Sequence, residues 1–327
     1  MDDTARSTST GPHLGEGPHL GERSEANEPP RIAVIGGSGL YDLLDEDSRT
    51  ELDVSTPFGP PSGTVTVGDF GGRRIAFLTR HGAGHTLAPH EINYRANMWA
   101  LASLGVRAVV SSSAVGGISP DVPVGSFVIP DQMLDRTVRR TATYSGDGML
   151  IHLPFSDPFT PELVDAARAA VRSLGEDVPD CGTTAVIEGP RFSTRAESRL
   201  LRESGAHIVN MTQYPEAALA QELGMGIVNL SFVTDSDAGA TSAEAVDADT
   251  VLHRLAAARP RILAALSAIV TAIGSDFAPP RLVPDAVVRR ILALPVTDRP
   301  VAGDPVADRA VAGEPVADGS FAEAVRP

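Results

Sequence analysis

Short apolar runs alternate along the chain with segments whose apolar residues recur at helical spacing. Residues 32–35 form a short apolar run and read as a strand. Residues 64–67 and 74–79 alternate or run apolar and read as two more. Residues 89–104 follow, with Tyr94, Met98 and Leu101 able to share one face, and predict a helix. Residues 107–110 read as a buried strand, 124–130 as another, and 144–159 as a loop. Residues 161–174 predict a surface helix, acidic at its start and arginine-bearing at its end, the order a helix dipole favours. Three further strand-like runs, 184–187, 206–209 and 226–233, are separated by helical segments at 194–204 and 215–223. Residues 247–273 carry the last long helical pattern, which Pro260 is expected to break or kink. Residues 277–294 predict a final short element. Strand and helix patterns alternate past residue 230, which argues for one α/β domain.

Polar clusters sit beside the strand-like runs, where open α/β sheets build their sites. Gly36-Gly37-Ser38-Gly39 follows the first strand directly, so backbone amides can approach an anion there. The spacing is not that of a dinucleotide fingerprint, and the lysine of a nucleotide-triphosphate loop is missing. This argues against a dinucleotide-dependent oxidoreductase. Arg80-His81-Gly82 ends another strand and offers a guanidinium fork with a second donor beside it. Ser111-Ser112-Ser113-Ala114 brings hydroxyls and small residues to a third strand end. Ser38, Arg80, His81, Ser113 and Thr212 are thus candidate donors for one anion. Phe192, in the cluster 188–193, offers a flat apolar face for a ring. Asp235 and Asp237 lie two apart, so in an extended chain both can point to one side, matching a ring N–H and an exocyclic amine. An anion, an aromatic base and hydroxyl donors together suggest phosphorolysis of a nucleoside.

Composition narrows the setting. The chain has 327 residues and 42% hydrophobic residues, enough for a sizeable core. Its formal charge is −15, from 42 acidic against 27 basic residues, and every basic residue is arginine. So acidic a surface argues against nucleic acid as a partner. Acid enrichment without lysine suits a high-salt cytoplasm, and a GC-rich genome would also favour arginine. Cys181 is the only cysteine, which excludes a disulfide framework within one chain. No basic start with an apolar run marks a signal peptide, and no apolar stretch of about 18 residues predicts a membrane span, so a cytoplasmic location is expected. Residues 1–30, with Gly-Pro-His-Leu-Gly-Glu twice in tandem, read as a disordered tail, and residues 295–327 read as a low-complexity acidic tail.

The sequence resembles the trimeric purine nucleoside phosphorylase family, and within it the 5'-methylthioadenosine phosphorylases. The likeness is carried by Ile35-Gly36-Gly37-Ser38-Gly39-Leu40, Thr56-Pro57-Phe58-Gly59, Arg80-His81-Gly82, Asn93-Tyr94-Arg95-Ala96-Asn97, Asp135-Arg136-Thr137, the stretch 188–197, Asn210-Met211-Thr212, Pro215-Glu216 and Thr234-Asp235-Ser236-Asp237. It runs in colinear order over about 31–275, inside an expected domain of 31–294. It implies a single domain with a central mixed, twisted β-sheet flanked by helices, and a homotrimer. It implies reversible phosphorolysis of methylthioadenosine to adenine and 5-methylthioribose 1-phosphate, with inorganic phosphate as co-substrate and no metal or organic cofactor. The same resemblance assigns phosphate contacts to Ser38, Arg80, His81, Ser113 and Thr212. It places Ala114 on the sugar side, Phe192 against the base and Met211 beneath the ribose. His152 is implied to reach a neighbouring subunit's substrate at its 5' end. Asp235 is implied to protonate or share a proton with N7, and Asp237 to accept from the exocyclic amine. Within the serine run Ser112 is an alternative to Ser113. A 6-oxopurine nucleoside or methylthioinosine phosphorylase is the nearest rival, and a noncatalytic nucleoside-binding protein a rival of another class.

Overall fold

The computed structural model describes residues 29–37, 40, 43–44, 46–146, 148–180, 182–238 and 248–296. Ser38, Cys181 and nearly all of both expected tails lie outside these. Among the described residues ten strands join in one mixed sheet. They are β1 (Ile32–Gly36), β2 (Thr50–Leu52), β3 (Val65–Phe70), β4 (Arg73–Thr79), β5 (Ala108–Gly117), β6 (Phe127–Val128), β7 (Gln132–Arg136), β8 (Thr183–Ile187), β9 (Ile208–Asn210) and β10 (Gly226–Asp235). The order along the sheet is β2-β3-β4-β1-β5-β9-β8-β7, with β10 paired to β5 and β6. Six helices flank it: α1 (Tyr94–Ser103), α2 (Pro161–Ser173), α3 (Arg195–Glu203), α4 (Gln213–Glu222), α5 (Ala248–Ala272) and α6 (Asp285–Leu292). The single α/β domain implied by the sequence is the one found.

The alternation of side chains along the strands divides the core in two. Ile32, Val34, Ala108, Val110, Val228 and Leu230 pack on the side of α2 and α5. Ala33, Ile35, Val109 and Ile227 pack on the opposite side with α1, α4 and α6. Central strands buried on both faces should be apolar throughout. Strands β5 and β10 depart from this on the α1/α4 side, where Ser111, Ser113, Asn229 and Ser231 are all buried.

Strand β5 is longer than its apolar run. The sequence pattern ends it at Val110, whereas the strand continues through the serines to Gly117. Its parallel pairing with β10 runs from Ala108 to Gly116 and supplies the backbone partners that hold the polar stretch extended. On its other edge β5 pairs with β1 only as far as Ser111, then meets antiparallel β9 at Gly116 and Gly117. The gap between these two pairings opens beyond the carboxyl end of β1.

Other boundaries moved for local reasons. Helix α1 starts at Tyr94 rather than 89, because Asn93 accepts from the Ala96 amide and caps it. The expected strand over 124–130 shrinks to Phe127–Val128, bounded by Gly125 at φ 90°. Strand β2, largely polar and exposed, carried no apolar signal. Helix α5 runs on through Pro260, since Leu255 and Ala258 before it and Ile262 and Ala265 after it are buried in one core. By length and composition α5 could also cross a membrane, a segment the sequence analysis did not expect. Here its apolar face packs on α2, β5 and β10. At the amino end of the described residues Pro30 is buried as well.

Candidate active site

Arg80 follows β4 and is the largest of the fully buried side chains. Its amide donates to the Gly36 carbonyl at 3.0 Å, which ties it to the end of β1. Its guanidinium donates from NH1 to the Ser112 carbonyl at 2.8 Å, in the gap where β5 has left β1. Nε and NH2 donate to the two carboxylate oxygens of Glu216 at 2.5 and 3.1 Å. The bidentate fork therefore already holds a carboxylate of α4. Of five N–H donors three are used among the described residues, leaving one on NH1 and one on NH2. Gly37 lies directly against this group: a Cβ there would fall 2.6 Å from the Ser112 carbonyl oxygen and 3.1 Å from NH1 of Arg80.

His81 is also buried, and its Nδ1 lies 2.9 Å from the Leu87 carbonyl. The carbonyl can only accept, so Nδ1 carries the hydrogen. Burial first, then the neighbouring Arg80 and His85, push its pKa down to about 3. The ring is neutral, and Nε2 presents a lone pair. This differs from the donor expected from sequence: His81 can receive a hydrogen from an anion that still carries one. The His85 ring stacks on it at 4.2 Å.

The hydroxyl candidates come from β5 and the entry to α4. Register pairs Ser111 with Asn229 and Ser113 with Ser231, so all four share the α4-facing side while Ser112 points the other way. Asn229 donates from Nδ2 to the hydroxyls of Ser111 at 2.7 Å and Ser113 at 3.0 Å. Thr212 is buried at the start of α4, where Asn210 Oδ1 accepts from the amides of Thr212 and Gln213, each at 2.7 Å.

The two aspartates close the far end of β10. Asp235 Oδ2 accepts from the Thr234 hydroxyl at 2.7 Å, and Oδ1 accepts from the Asp237 amide at 2.9 Å. Burial outweighs these bonds and raises the Asp235 pKa to about 6. Asp237 is buried at φ 49°, and its Oδ2 has no partner among the described residues. Both lie against Gly116, where a Cβ would come within 3.1 Å of Asp235 Oδ1 and of the Asp237 Cα. An orphaned buried acceptor beside a carboxyl that gives up its proton only near pH 6 is a pair suited to one donor and one acceptor on a ligand.

The remaining candidates are partly assembled. Ala114 and Met211 are half-buried, and Met211 Sδ lies 2.7 Å from where a Cβ of Gly189 would be. That contact joins the loop carrying Met211 to the one carrying Phe192, which is itself 39% exposed. Arg140, which the sequence did not single out, reinforces the junction: it donates to the carbonyls of Tyr214 at 2.6 Å and Glu188 at 2.8 Å. His152 is exposed on the 144–159 loop. Glu216, Asn229, Gln213 and Arg140 escaped the sequence reading as site residues because their partners are distant in the chain. The signal available was an unexplained polar residue inside an otherwise apolar element, as at Asn229 in β10.

Comparison with known proteins places the chain in a family. Residues 31–271 match the family model described as phosphorylase superfamily. An S-methyl-5'-thioadenosine phosphorylase of Mycolicibacterium smegmatis is 52% identical over 208 residues, 64% of this chain and 78% of the relative. A purine nucleoside phosphorylase of Streptomyces coelicolor is 47% identical over 251 residues, 74% of this chain and 89% of the relative. A methylthioadenosine phosphorylase crystal structure from an antarctic soil metagenomic library superposes with a TM-score of 0.72 at 37% identity, covering 81% of this chain and 99% of that one. With a family match over most of its length and one mixed sheet among its described residues, the chain belongs to the phosphorylase superfamily.

Proposed function

We propose that this enzyme catalyses the reversible phosphorolysis of S-methyl-5'-thioadenosine, giving adenine and 5-methylthioribose 1-phosphate. The observation that carries the reading is the aspartate pair. Asp235, with a pKa raised to about 6, can hold or share a proton with N7 of the purine. The free Oδ2 of Asp237 can accept from a 6-amino group, which a 6-oxopurine does not offer there.

In this mechanism phosphate lies at the carboxyl end of β1 and β5. The two N–H groups of Arg80 left open among the described residues and the hydroxyls of Ser38, Ser113 and Thr212 donate to it. His81, neutral with its hydrogen on Nδ1, accepts a hydrogen bond from a protonated phosphate oxygen at Nε2. As the C1'–N9 bond lengthens, positive charge develops on the ribose, the phosphate beside it stabilises that charge, and a phosphate oxygen then bonds to C1' as the base leaves. Electron density moves into the purine, and the proton held at Asp235 meets it at N7. Phe192 packs against the base, and Ala114 and Met211 line the ribose. His152 serves the 5' end of a neighbouring subunit's substrate in a homotrimer. Its exposure, and that of Leu150 beside it at 73%, supports that part of the reading. The reaction is placed in the cytoplasm.

A phosphate-dependent assay over 6-amino and 6-oxo nucleosides, each with and without the 5'-methylthio group, tests the proposal. Adenine release from methylthioadenosine that requires phosphate is expected. Preference for a 6-oxo nucleoside by kcat/KM would assign the enzyme to the rival branch, in keeping with the Streptomyces relative's broader name.

A further inference from the structure

Five polar side chains sit where the α1/α4 side of the sheet should be apolar. Asn229 is fully buried at their centre. Its Oδ1 accepts from the Ser231 hydroxyl at 2.7 Å and from Gln213 Nε2 at 2.9 Å. Gln213 Nε2 also donates to the Ser231 hydroxyl at 3.0 Å. Its Nδ2 donates to Ser111 and Ser113, at 2.7 and 3.0 Å. All four capacities used by the Asn229 amide are thus directed, acceptor toward α4 and donor toward β5.

A serine hydroxyl ordinarily donates or accepts as its surroundings require. Once its oxygen receives the Asn229 hydrogen, the hydroxyl's own hydrogen is left for another acceptor. Ser113 is the serine of the pair nearer the carboxyl end of β5, toward the site. We propose that Asn229 is a positioning residue whose amide commits the Ser113 hydroxyl to donating a hydrogen bond to the phosphate substrate. The inference rests on the phosphorolysis reading and deepens it. It also accounts for the cost of the network. Buried polar groups inside a sheet destabilise unless fully paired, and apolar residues at these positions would pack without that demand.

The experiment uses the full chain and steady-state kinetics with inorganic phosphate and methylthioadenosine varied in turn. Asn229→Asp keeps the shape and reverses the polarity toward the serines. It is expected to raise the phosphate KM about tenfold or more, as expected for losing one hydrogen bond to a charged group, with the nucleoside KM within about threefold of wild type on the same grounds. Asn229→Ala removes the donor without adding charge and is expected to shift the phosphate KM in the same direction. In a double-mutant cycle, adding Asn229→Ala to Ser113→Ala should change the phosphate KM by less than about twofold, because the effect passes through Ser113. A folded Asn229→Ala with unchanged phosphate KM overturns the inference, as does full multiplication of the two effects. So does a Ser113→Ala enzyme with wild-type phosphate KM. If wild type itself releases no base with phosphate, the functional reading fails and takes this inference with it. If wild type is phosphate-dependent and the Asn229 variants keep the wild-type phosphate KM, the inference alone fails.

Discussion

Asp235 shows how one buried carboxyl can serve reaction and oppose stability at once. Its pKa is raised from 3.8 to about 6, so the folded state holds the proton over a range where the unfolded state has lost it. Any stabilisation from that proton is complete below about pH 4 and lost as pH rises through 6. Above pH 6 the ionised carboxylate costs roughly 3 kcal/mol relative to the unfolded chain. Asp235→Asn is therefore expected to raise Tm relative to wild type at pH 8, with the difference vanishing near pH 4; denaturation across that range checks it. The same substitution should lower kcat/KM for methylthioadenosine by roughly 2–4 kcal/mol of transition-state stabilisation, and less for its 6-oxo counterpart. A ratio between the two nucleosides unchanged within about twofold, on the same scale, would remove Asp235 from base reading. Arg80 poses the converse problem, a buried cation held by its own carboxylate. Removing one partner of such a pair leaves the other uncompensated, so Glu216→Ala should destabilise by about 3–5 kcal/mol. Added phosphate should restore part of that loss by occupying Arg80. A Glu216→Ala melting temperature no more sensitive to phosphate than that of wild type would place the anion elsewhere.

At the level of elements, the site exists because β5 changes partners. It follows β1 to Ser111 and joins β9 at Gly116, and Arg80 occupies the interval by taking up the Ser112 carbonyl. The glycine turn after β1 must pass close to that carbonyl, and at Gly37 the reason for glycine is steric. A Cβ there would stand 2.6 Å from the Ser112 carbonyl oxygen, which belongs to rigid strand backbone. Gly37→Ala should therefore destabilise by about 1–3 kcal/mol, the usual cost of overpacking. It should also raise the phosphate KM, since the displaced atoms adjoin Arg80. Thermal melting and phosphate titration together check this; a stable variant with altered phosphate KM would still support the placement, whereas wild-type behaviour in both would contradict it. The apolar runs of β1, β4, β8 and β10 were legible because each carries a short apolar core bounded by polar residues or glycine. The extension of β5 was not, because serines have no period of their own and only the β10 register keeps them extended.

For the whole molecule, the described residues pack from Pro30 to Leu294, beyond the end of α6 at Leu292. Trp99 Nε1 donates to the Ile291 carbonyl at 3.1 Å, which fastens α6 to α1. A chain limited to residues 29–296 is expected to fold and to retain phosphate-dependent activity, as circular dichroism and the nucleoside assay would show. Loss of activity on that truncation would assign a role to one of the ends. The proposed homotrimer predicts a sedimentation mass three times the 34.1 kDa of the chain, and reduced kcat/KM for methylthioadenosine in His152→Ala. A monomeric, fully active protein would contradict the cross-subunit role.

By itself the sequence determined the α/β class, the order of most elements, and which residue types stand at the strand ends. These follow from local rules: apolar periodicity sets strand or helix, and glycine, proline and capping residues set the limits. It also offered Arg80, Ser113, Thr212, Asp235 and Asp237 as candidates, all of which are buried. The tertiary structure alone decided their states. Glu216 fills the Arg80 fork from 136 positions away. Leu87 selects the His81 tautomer, and burial lifts the Asp235 proton toward neutrality. Asn229 and Ser113 are 116 residues apart, and their bond exists only because β5 and β10 are parallel neighbours in one register. Hydrogen-bond direction, desolvation and charge pairing depend on which groups meet in space, and no local pattern in the chain encodes that.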